Sequence, residues 1–193
     1  MVQGDLWKRW LIGDLRDLRD EMEGRNWLES ESFRAAVVER FMFVTAYVSR
    51  KLLEGEELTV DLVERTWPVE RYRCVRHPPP RQQFRISRDL KRWWQPIEDH
   101  YDLAQPQNGS LKLPTLCNLV IHHFAFEVRS TDPETIEIYF NSDYTKDDAL
   151  NMIPLKTYVE FVDEVAHDQA VFFTVDRKTN RQVRHRTRRL DLL

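Results

Sequence analysis

Glycine and cysteine are scarce in this sequence. The 193-residue chain has five glycines, and because glycine supplies most tight turns with positive φ, this scarcity favours helices. The two cysteines, Cys74 and Cys117, form no CxxC pair. Neither a disulfide framework nor a cysteine-based zinc site is therefore predicted.

Long apolar runs are also absent. No stretch approaches the roughly 20 apolar residues that cross a bilayer, and the opening sequence MVQGDLWKRW lacks the apolar core of a signal peptide. The chain still has 41% hydrophobic and 11% aromatic residues, which is enough to bury a core. We therefore expect one soluble, cytoplasmic domain with no membrane contact.

Hydrophobic spacing predicts an α+β fold. Residues 1–130 are predicted to form a helical body of about five helices, and residues 131–193 a small antiparallel β-sheet with one helix that packs on it within one domain. An amphipathic helix is predicted over 5–23, because Leu11, Leu15 and Leu18 recur at helical spacing. Further helices are predicted over 30–54, 59–66 and 115–126.

The boundary between the two parts depends on loops and on a change of period. Residues 68–87 are predicted to be a long loop, because three consecutive prolines, 78–80, exclude a helix. Asn108 and Gly109 predict a turn. Alternation of apolar and polar residues predicts a strand over 135–141. The other elements predicted in this part are strands over 152–155, 171–175 and 182–187 and a helix over 157–167.

Positive charge is concentrated in two segments, although the whole chain has a net charge of −3. Residues 71–94 contain eight basic residues and one acidic residue, and 176–193 contain seven and two. Aromatic residues such as Tyr72 and Phe84 lie between the arginines, and cations with aromatic faces suit single-stranded nucleic acid. The predicted nucleic-acid contacts are Arg71, Arg73, Arg76, Arg81, Arg85, Arg88, Arg92, Arg184 and Arg186. The alternative is a solvated basic loop whose arginines pair with the acidic remainder of this chain or of a partner.

The helix predicted over 115–126 carries the most specific pattern, Cys117-Asn118-x-x-x-His122. Asn118 and His122 are four residues apart and therefore share one helical face. This pattern resembles the signature helix of the HEPN superfamily, small helical domains common in prokaryotic toxin–antitoxin and phage-defence systems. The resemblance covers residues 5–127 in helix order. In active members it implies metal-independent RNA cleavage, usually across a dimer of two such helices.

The family pattern has an arginine where this chain has Cys117. A neutral thiol cannot stabilise charge on a scissile phosphate as the arginine does, whereas His122 can still move a proton. The alternative interpretation is that Asn118 and His122 are buried polar residues held by hydrogen bonds. Cys117 is then a small buried apolar side chain.

Possible metal ligands occur only as pairs or as an incomplete motif. His123 with Glu127, and Asp163 with His167, have helical spacing, but two ligands do not make a metal site, so ion pairs are predicted. Residues 141–147 resemble a calcium loop but lack two of its required residues. Lys146 occupies the position of the glycine, and Met152 occupies that of the bidentate glutamate. A polar turn is predicted, with no metal and no cofactor.

The leading hypothesis is a non-catalytic RNA- or polyanion-binding, or regulatory, protein. The resemblance implies a setting in bacterial defence or a toxin–antitoxin system, and a homodimer. The first alternative is a metal-independent ribonuclease that uses His122 with an arginine from elsewhere, such as Arg81 or Arg85. The second is a protein–protein adaptor that docks an acidic partner. The binding hypothesis requires arginines on a common exposed face without internal carboxylate partners.

Overall fold

Helices dominate the N-terminal part of the fold. A computed structural model of the chain describes residues 3–75, 96–130, 135–169, 172–176, 178 and 181–185. The first helices are α1 (Gln3–Glu23), α2 (Arg25–Glu29), α3 (Glu31–Glu54) and α4 (Val60–Glu64). The Ser30 side chain caps α3 by accepting a hydrogen bond from the Phe33 backbone nitrogen at 3.2 Å.

A five-stranded antiparallel sheet forms the centre of the molecule, and its strands are β1 (Thr66–Arg73), β2 (Gln107–Lys112), β3 (His123–Ser130), β4 (Ile136–Ser142) and β5 (Ala149–Pro154). Two helices, α5 (Leu113–Ile121) and α6 (Leu155–Ala166), follow β2 and β5 in the chain. A separate two-stranded sheet contains β6 (Phe172–Asp176) and β7 (Arg181–His185). The strand order across the main sheet is β2-β1-β5-β4-β3, and every neighbouring pair is antiparallel. This architecture confirms the predicted α+β class.

The main sheet is covered on both faces. On one face Val69, Ile138 and Ile153 join the helices in a large apolar core that includes Leu11 and Phe161. The other face carries a smaller cluster that includes side chains from outside the strands, and its buried members are Tyr72, Cys74, Ile97, Tyr101, Tyr139, Leu150 and Met152. Of the helices that the structure describes, none combines the length and apolarity that a bilayer crossing requires.

Asp168 holds three distant parts of the chain together through its side chain and its backbone carbonyl. Asp168, just after α6, accepts hydrogen bonds from the Thr59 backbone nitrogen at 2.7 Å and from the Thr59 hydroxyl at 2.8 Å. Lys8 of α1 donates to the Asp168 carbonyl oxygen at 2.5 Å. The start of α4, the end of α6 and α1 are thereby joined.

The helix predicted over 115–126 is wrong in its second half. Helix α5 ends at Ile121, and strand β3 begins at His123. Along β3, the apolar residues Phe124, Phe126 and Val128 alternate with less apolar ones, and β3 is paired with β4 over this stretch. A run that is apolar on nearly every side fits both periods, so pairing with β4 decides the outcome.

The loop predicted from residue 68 is also wrong at its start, because β1 occupies 66–73. Pro68 is tolerated because β1 pairs with β5 only over 70–73, which leaves its earlier residues unpaired on that side. The turn predicted at Asn108 and Gly109 is part of β2. Residues 76–95, which include the three prolines, lie outside the described residues.

The helical body predicted for 1–130 therefore contains three strands of the main sheet. Strand β3, before residue 131, pairs with β4 after it, so the predicted boundary falls within one sheet. The elements predicted after this boundary are confirmed, with ends shifted by a few residues in β4, β5, α6, β6 and β7.

Candidate functional site

Helix α5 presents its polar residues outwards. Leu116 and Val120 are buried against the core, whereas Asn118 and His122 are exposed. His122 lies at the C-terminal cap, and its backbone nitrogen donates to the Asn118 carbonyl oxygen at 3.0 Å. The interpretation of Asn118 and His122 as buried polar residues is therefore wrong, and both are accessible to a ligand.

Cys117, in contrast, points into the core. The residue is fully buried, and burial raises the pKa of its thiol to about 12, against a weaker lowering influence of Arg50. A protonated, inaccessible thiol is a poor nucleophile. The interpretation of Cys117 as a small buried apolar side chain is confirmed.

An arginine does lie beside the imidazole of His122, and it comes from α3. Arg50 Nη1 is 3.3 Å from His122 Nε2. A guanidinium only donates hydrogen bonds, so this contact is a hydrogen bond when His122 Nε2 carries no proton and accepts. The arginines predicted for this role, Arg81 and Arg85, lie outside the described residues.

Arg50 belongs to a small charged group at the end of α3. Its Nε donates to Glu54 Oε1 at 2.9 Å, and Lys51 Nζ donates to Glu54 Oε2 at 2.8 Å. These contacts lower the pKa of Glu54 and raise that of Lys51. The three side chains are between 36% and 45% exposed, so water screens the pairs and a phosphate can compete for the two cations. We refer to Arg50, Lys51, Asn118 and His122 as the α3–α5 surface.

Two exposed aromatic rings lie on the same helix. Phe43 is 43% exposed and Tyr47 is 45% exposed, and we refer to this pair as the aromatic strip. Residues four and seven positions apart share a helical face, which groups Phe43, Tyr47 and Arg50. Lys51 Nζ lies 5.5 Å from the centroid of the Tyr47 ring, within the range of a cation–π contact.

Sequence reasoning missed both Arg50 and the aromatic strip. A signal for the strip was present, because Phe43 is two residues from the buried Phe41 and so falls on the opposite side of α3. For Arg50 there was no comparable signal, because its contact with His122 joins residues 72 positions apart.

The basic segment near β1 is only partly described. Arg71 and Arg73 are exposed, and among the described residues neither has an ion-pair partner. The stem of Arg71 lies over Gly109 of β2, where an added Cβ would be 2.9 Å from Arg71 Cδ. Of the other predicted contacts, Arg184 lies in β7 but its side chain is outside the description. The rest of this set also lies outside the described residues, namely Arg76, Arg81, Arg85, Arg88, Arg92 and Arg186. A common face for all of these arginines therefore stays a prediction.

The predicted pairs of metal ligands have other partners or form ion pairs. His123 Nε2 is 3.5 Å from Glu39 Oε1, and Glu127 accepts from Arg129 Nε at 2.6 Å, so His123 and Glu127 do not pair with each other. The predicted pairing of Asp163 with His167 is present, with 3.3 Å between Asp163 Oδ1 and His167 Nδ1, and it is an ion pair when the imidazole is protonated.

The segment that resembles a calcium loop forms the turn between β4 and β5, as predicted. Lys146 Nζ donates to Asp143 Oδ1 at 2.5 Å. This carboxylate, which a calcium loop would use as a metal ligand, therefore binds an ammonium group instead. The Asn141 amide donates to the Tyr101 hydroxyl at 2.7 Å. Within the part of the chain that the structure describes, no group of three His, Cys, Asp or Glu side chains is arranged to hold a metal ion.

The α3–α5 surface brings a guanidinium, an ammonium group, an amide and an imidazole together on two neighbouring helices. The resemblance to HEPN domains stays a prediction that rests on Asn118 and His122. No protein-family model matches the chain, and neither a curated protein nor a solved structure matches it.

Proposed function

We propose that the protein binds RNA, or a polyanion of similar charge, at the α3–α5 surface. The observation that carries this proposal is the 3.3 Å contact between Arg50 Nη1 and His122 Nε2 on an exposed surface. Asn118 lies one helical turn before His122 and is exposed on the same face of α5. A guanidinium, an amide and an imidazole on one surface supply the donors that phosphate and sugar oxygens accept.

Arg50 retains donors for a phosphate in this arrangement. Glu54 engages Nε and His122 engages one Nη1 proton, which leaves the other Nη1 proton and both Nη2 protons. Arginine binds phosphate through such paired donors. Lys51, the next residue, adds a second cation, so the group of Arg50, Lys51 and Glu54 has a net positive charge.

Arg71 and Arg73 extend the proposal to β1. Both are exposed and, within the described residues, both lack a carboxylate partner, as the sequence hypothesis required of its arginines. They are proposed as additional phosphate contacts. The bacterial defence or toxin–antitoxin setting and the homodimer are proposed on the resemblance alone.

Fluorescence anisotropy with a labelled single-stranded RNA tests this proposal. We expect binding at low salt with a steep loss of affinity at moderate salt, because phosphate contacts release counterions. Arg50→Ala is expected to weaken binding and to reduce the slope of log K against log salt by about 0.7, the value for one phosphate contact. Arg19→Ala, at an exposed position of α1, is the charge-matched control and is expected to bind as the wild type does. No binding at low salt would overturn the proposal.

A second candidate function is metal-independent RNA cleavage at the same surface. The specific observation in its favour is that Arg50 lies beside His122. Its guanidinium can replace the arginine that the family pattern has at the position of Cys117. In this mechanism His122 Nε2, once released from Arg50, takes the proton of a ribose 2′-hydroxyl. The 2′-oxygen then bonds to phosphorus, the bond to the 5′-oxygen breaks, and water protonates that oxygen. Arg50 stabilises the charge that develops on the phosphate oxygens.

Incubation of RNA with the protein in the presence of a metal chelator separates the two candidates. A ribonuclease cleaves the RNA under these conditions, and His122→Ala abolishes cleavage while Arg50→Lys reduces it. RNA that is bound but stays intact rules out the ribonuclease and leaves the binding proposal in place.

A further inference from the structure

The aromatic strip is an unusual feature for an outward-facing part of α3. Phe43 and Tyr47 are each exposed over more than two fifths of their area, and four residues of helical rise separate them by about 6 Å along the axis. Within the described residues neither ring packs against another aromatic ring. Two partly exposed aromatic rings therefore lie one helical turn apart on the same face of α3.

Positive charge adjoins this strip. Lys51 Nζ lies 5.5 Å from the centroid of the Tyr47 ring, and Arg50 shares the helical face of Phe43. Of the carboxylates near this face, Glu54 binds the two cations, and Glu39 Oε1 lies 3.5 Å from His123 Nε2. The strip is thus an aromatic surface next to cationic donors, the combination that binds single strands by stacking on bases and contacting phosphates.

The strand state of the RNA follows from this chemistry. In a duplex, each base is covered on both faces by its neighbours, so a protein ring cannot stack on it. Unpaired bases leave a face open. A surface with only cations cannot distinguish single-stranded from duplex RNA by stacking, whereas a surface with exposed aromatic rings can.

We propose that the aromatic strip stacks on unpaired bases, so that the ligand of the α3–α5 surface is single-stranded RNA rather than duplex RNA or a base-free polyanion. This proposal rests on the proposed function at the same surface. Phe43 and Tyr47 supply the stacking faces, and Arg50 and Lys51 contact the adjoining phosphates.

Binding measurements with three probes test the proposal, namely a short single-stranded RNA, the same sequence as a duplex, and inorganic polyphosphate. The wild type is expected to bind the single strand more tightly than the duplex. Phe43→Leu and Tyr47→Leu, which keep apolar volume but remove the ring, are expected to weaken single-strand binding about tenfold each. Their affinity for polyphosphate is expected to stay unchanged, because polyphosphate has no bases.

Ring-preserving variants and a remote ring provide the controls. Phe43→Tyr and Tyr47→Phe keep a ring that can stack, and they are expected to retain most of the single-strand affinity that the Leu variants lose. Tyr144→Ala removes a ring that is 90% exposed in the turn between β4 and β5, and it is expected to leave binding unchanged. Because Phe43 and Tyr47 are exposed, the Leu variants are expected to keep the wild-type unfolding midpoint, which far-ultraviolet circular dichroism measures.

The outcomes separate this proposal from the one that supports it. If the wild type binds neither RNA nor polyphosphate at low salt, both proposals fail. If it binds RNA and the Leu variants bind equally well, only the stacking proposal fails. Analytical ultracentrifugation of the wild type and the Leu variants measures whether the strip instead mediates self-association. A change from dimer to monomer with unchanged RNA affinity assigns the strip to contact between two copies and overturns the stacking proposal.

Discussion

At the scale of single residues, the most consequential side chain outside the α3–α5 surface is Asp168. It is fully buried, and both carboxylate oxygens accept hydrogen bonds from Thr59. A buried carboxylate in this position is stable only because its acceptors are satisfied, and it satisfies the backbone nitrogen at the start of α4 in return. The residue therefore stabilises the fold, and no functional role is needed to explain it.

Asp168→Ala is expected to lower the free energy of unfolding by about 1–3 kcal/mol, because it leaves the Thr59 nitrogen and hydroxyl buried without an acceptor. Urea denaturation followed by circular dichroism measures this change. Glu160→Ala, at an exposed position of α6, is the control and is expected to have little effect. Equal stability of the two variants would contradict this account of Asp168.

Cys117 gives the fold a sensitivity to alkaline pH. Burial raises the pKa of its thiol from 9.0 to about 12, so the unfolded chain loses this proton at a lower pH than the folded chain. The contribution of the protonated Cys117 thiol to the free energy of unfolding is complete below about pH 9 and is lost as the pH rises towards 12. Denaturation curves in this range are expected to show falling stability, with a smaller fall in Cys117→Ala. An identical pH dependence in the two proteins would contradict the prediction.

At the scale of elements, the sequence predicted secondary structure correctly where the hydrophobic residues fitted either the helix or the strand period alone. The prediction was wrong where they fitted both periods. The stripe of Leu11, Leu15 and Leu18 identified α1, and the alternation around Ile138 identified β4. In contrast, the residues of β3 are apolar enough to suit a helix, and only their register with β4 selects a strand. β1 was missed because Pro68 argues locally against a strand that long-range pairing permits.

The approach of β1 to β2 predicts coupling between Gly109 and Arg71. Gly109→Ala is expected to destabilise the protein, because the new Cβ would lie 2.9 Å from Arg71 Cδ and 3.4 Å from Val69 Cγ2. The cost is expected to be smaller when Arg71→Ala is already present. A double-mutant cycle measured by thermal unfolding tests this coupling, and additive effects would show that the two residues do not constrain each other.

At the scale of the whole molecule, the candidate site depends on contacts that no local pattern contains. Asn118 and His122 were recognisable as a pair from their spacing, yet their exposure and the partner from α3 depend on how α5 packs. The charge distribution was readable from the sequence, but whether two basic segments share a face depends on the complete fold. For Arg71 and Arg73 the structure shows exposure without a carboxylate partner.

Removing Arg71 and Arg73 together tests their share of polyanion binding. The double variant Arg71→Ala, Arg73→Ala is expected to reduce the salt slope for single-stranded RNA by about 1.4, twice the value for one phosphate. The loss of affinity is expected to be similar for different RNA sequences, because phosphate contacts carry no base information. Anisotropy titrations over a range of salt concentrations measure both quantities, and an unchanged slope would exclude these two arginines from the interface.

The strand order of the main sheet also constrains how the chain acquires its structure during synthesis. β1 pairs with β2 and β3 pairs with β4, but among the strands that the structure describes the two pairs are joined only through β5, the last of the five to be translated. A nascent chain that has not yet exposed residues 149–154 to solvent therefore has two half-sheets with open edges. On the ribosome, the sheet can close only once this one short segment has emerged from the exit tunnel and fitted between them.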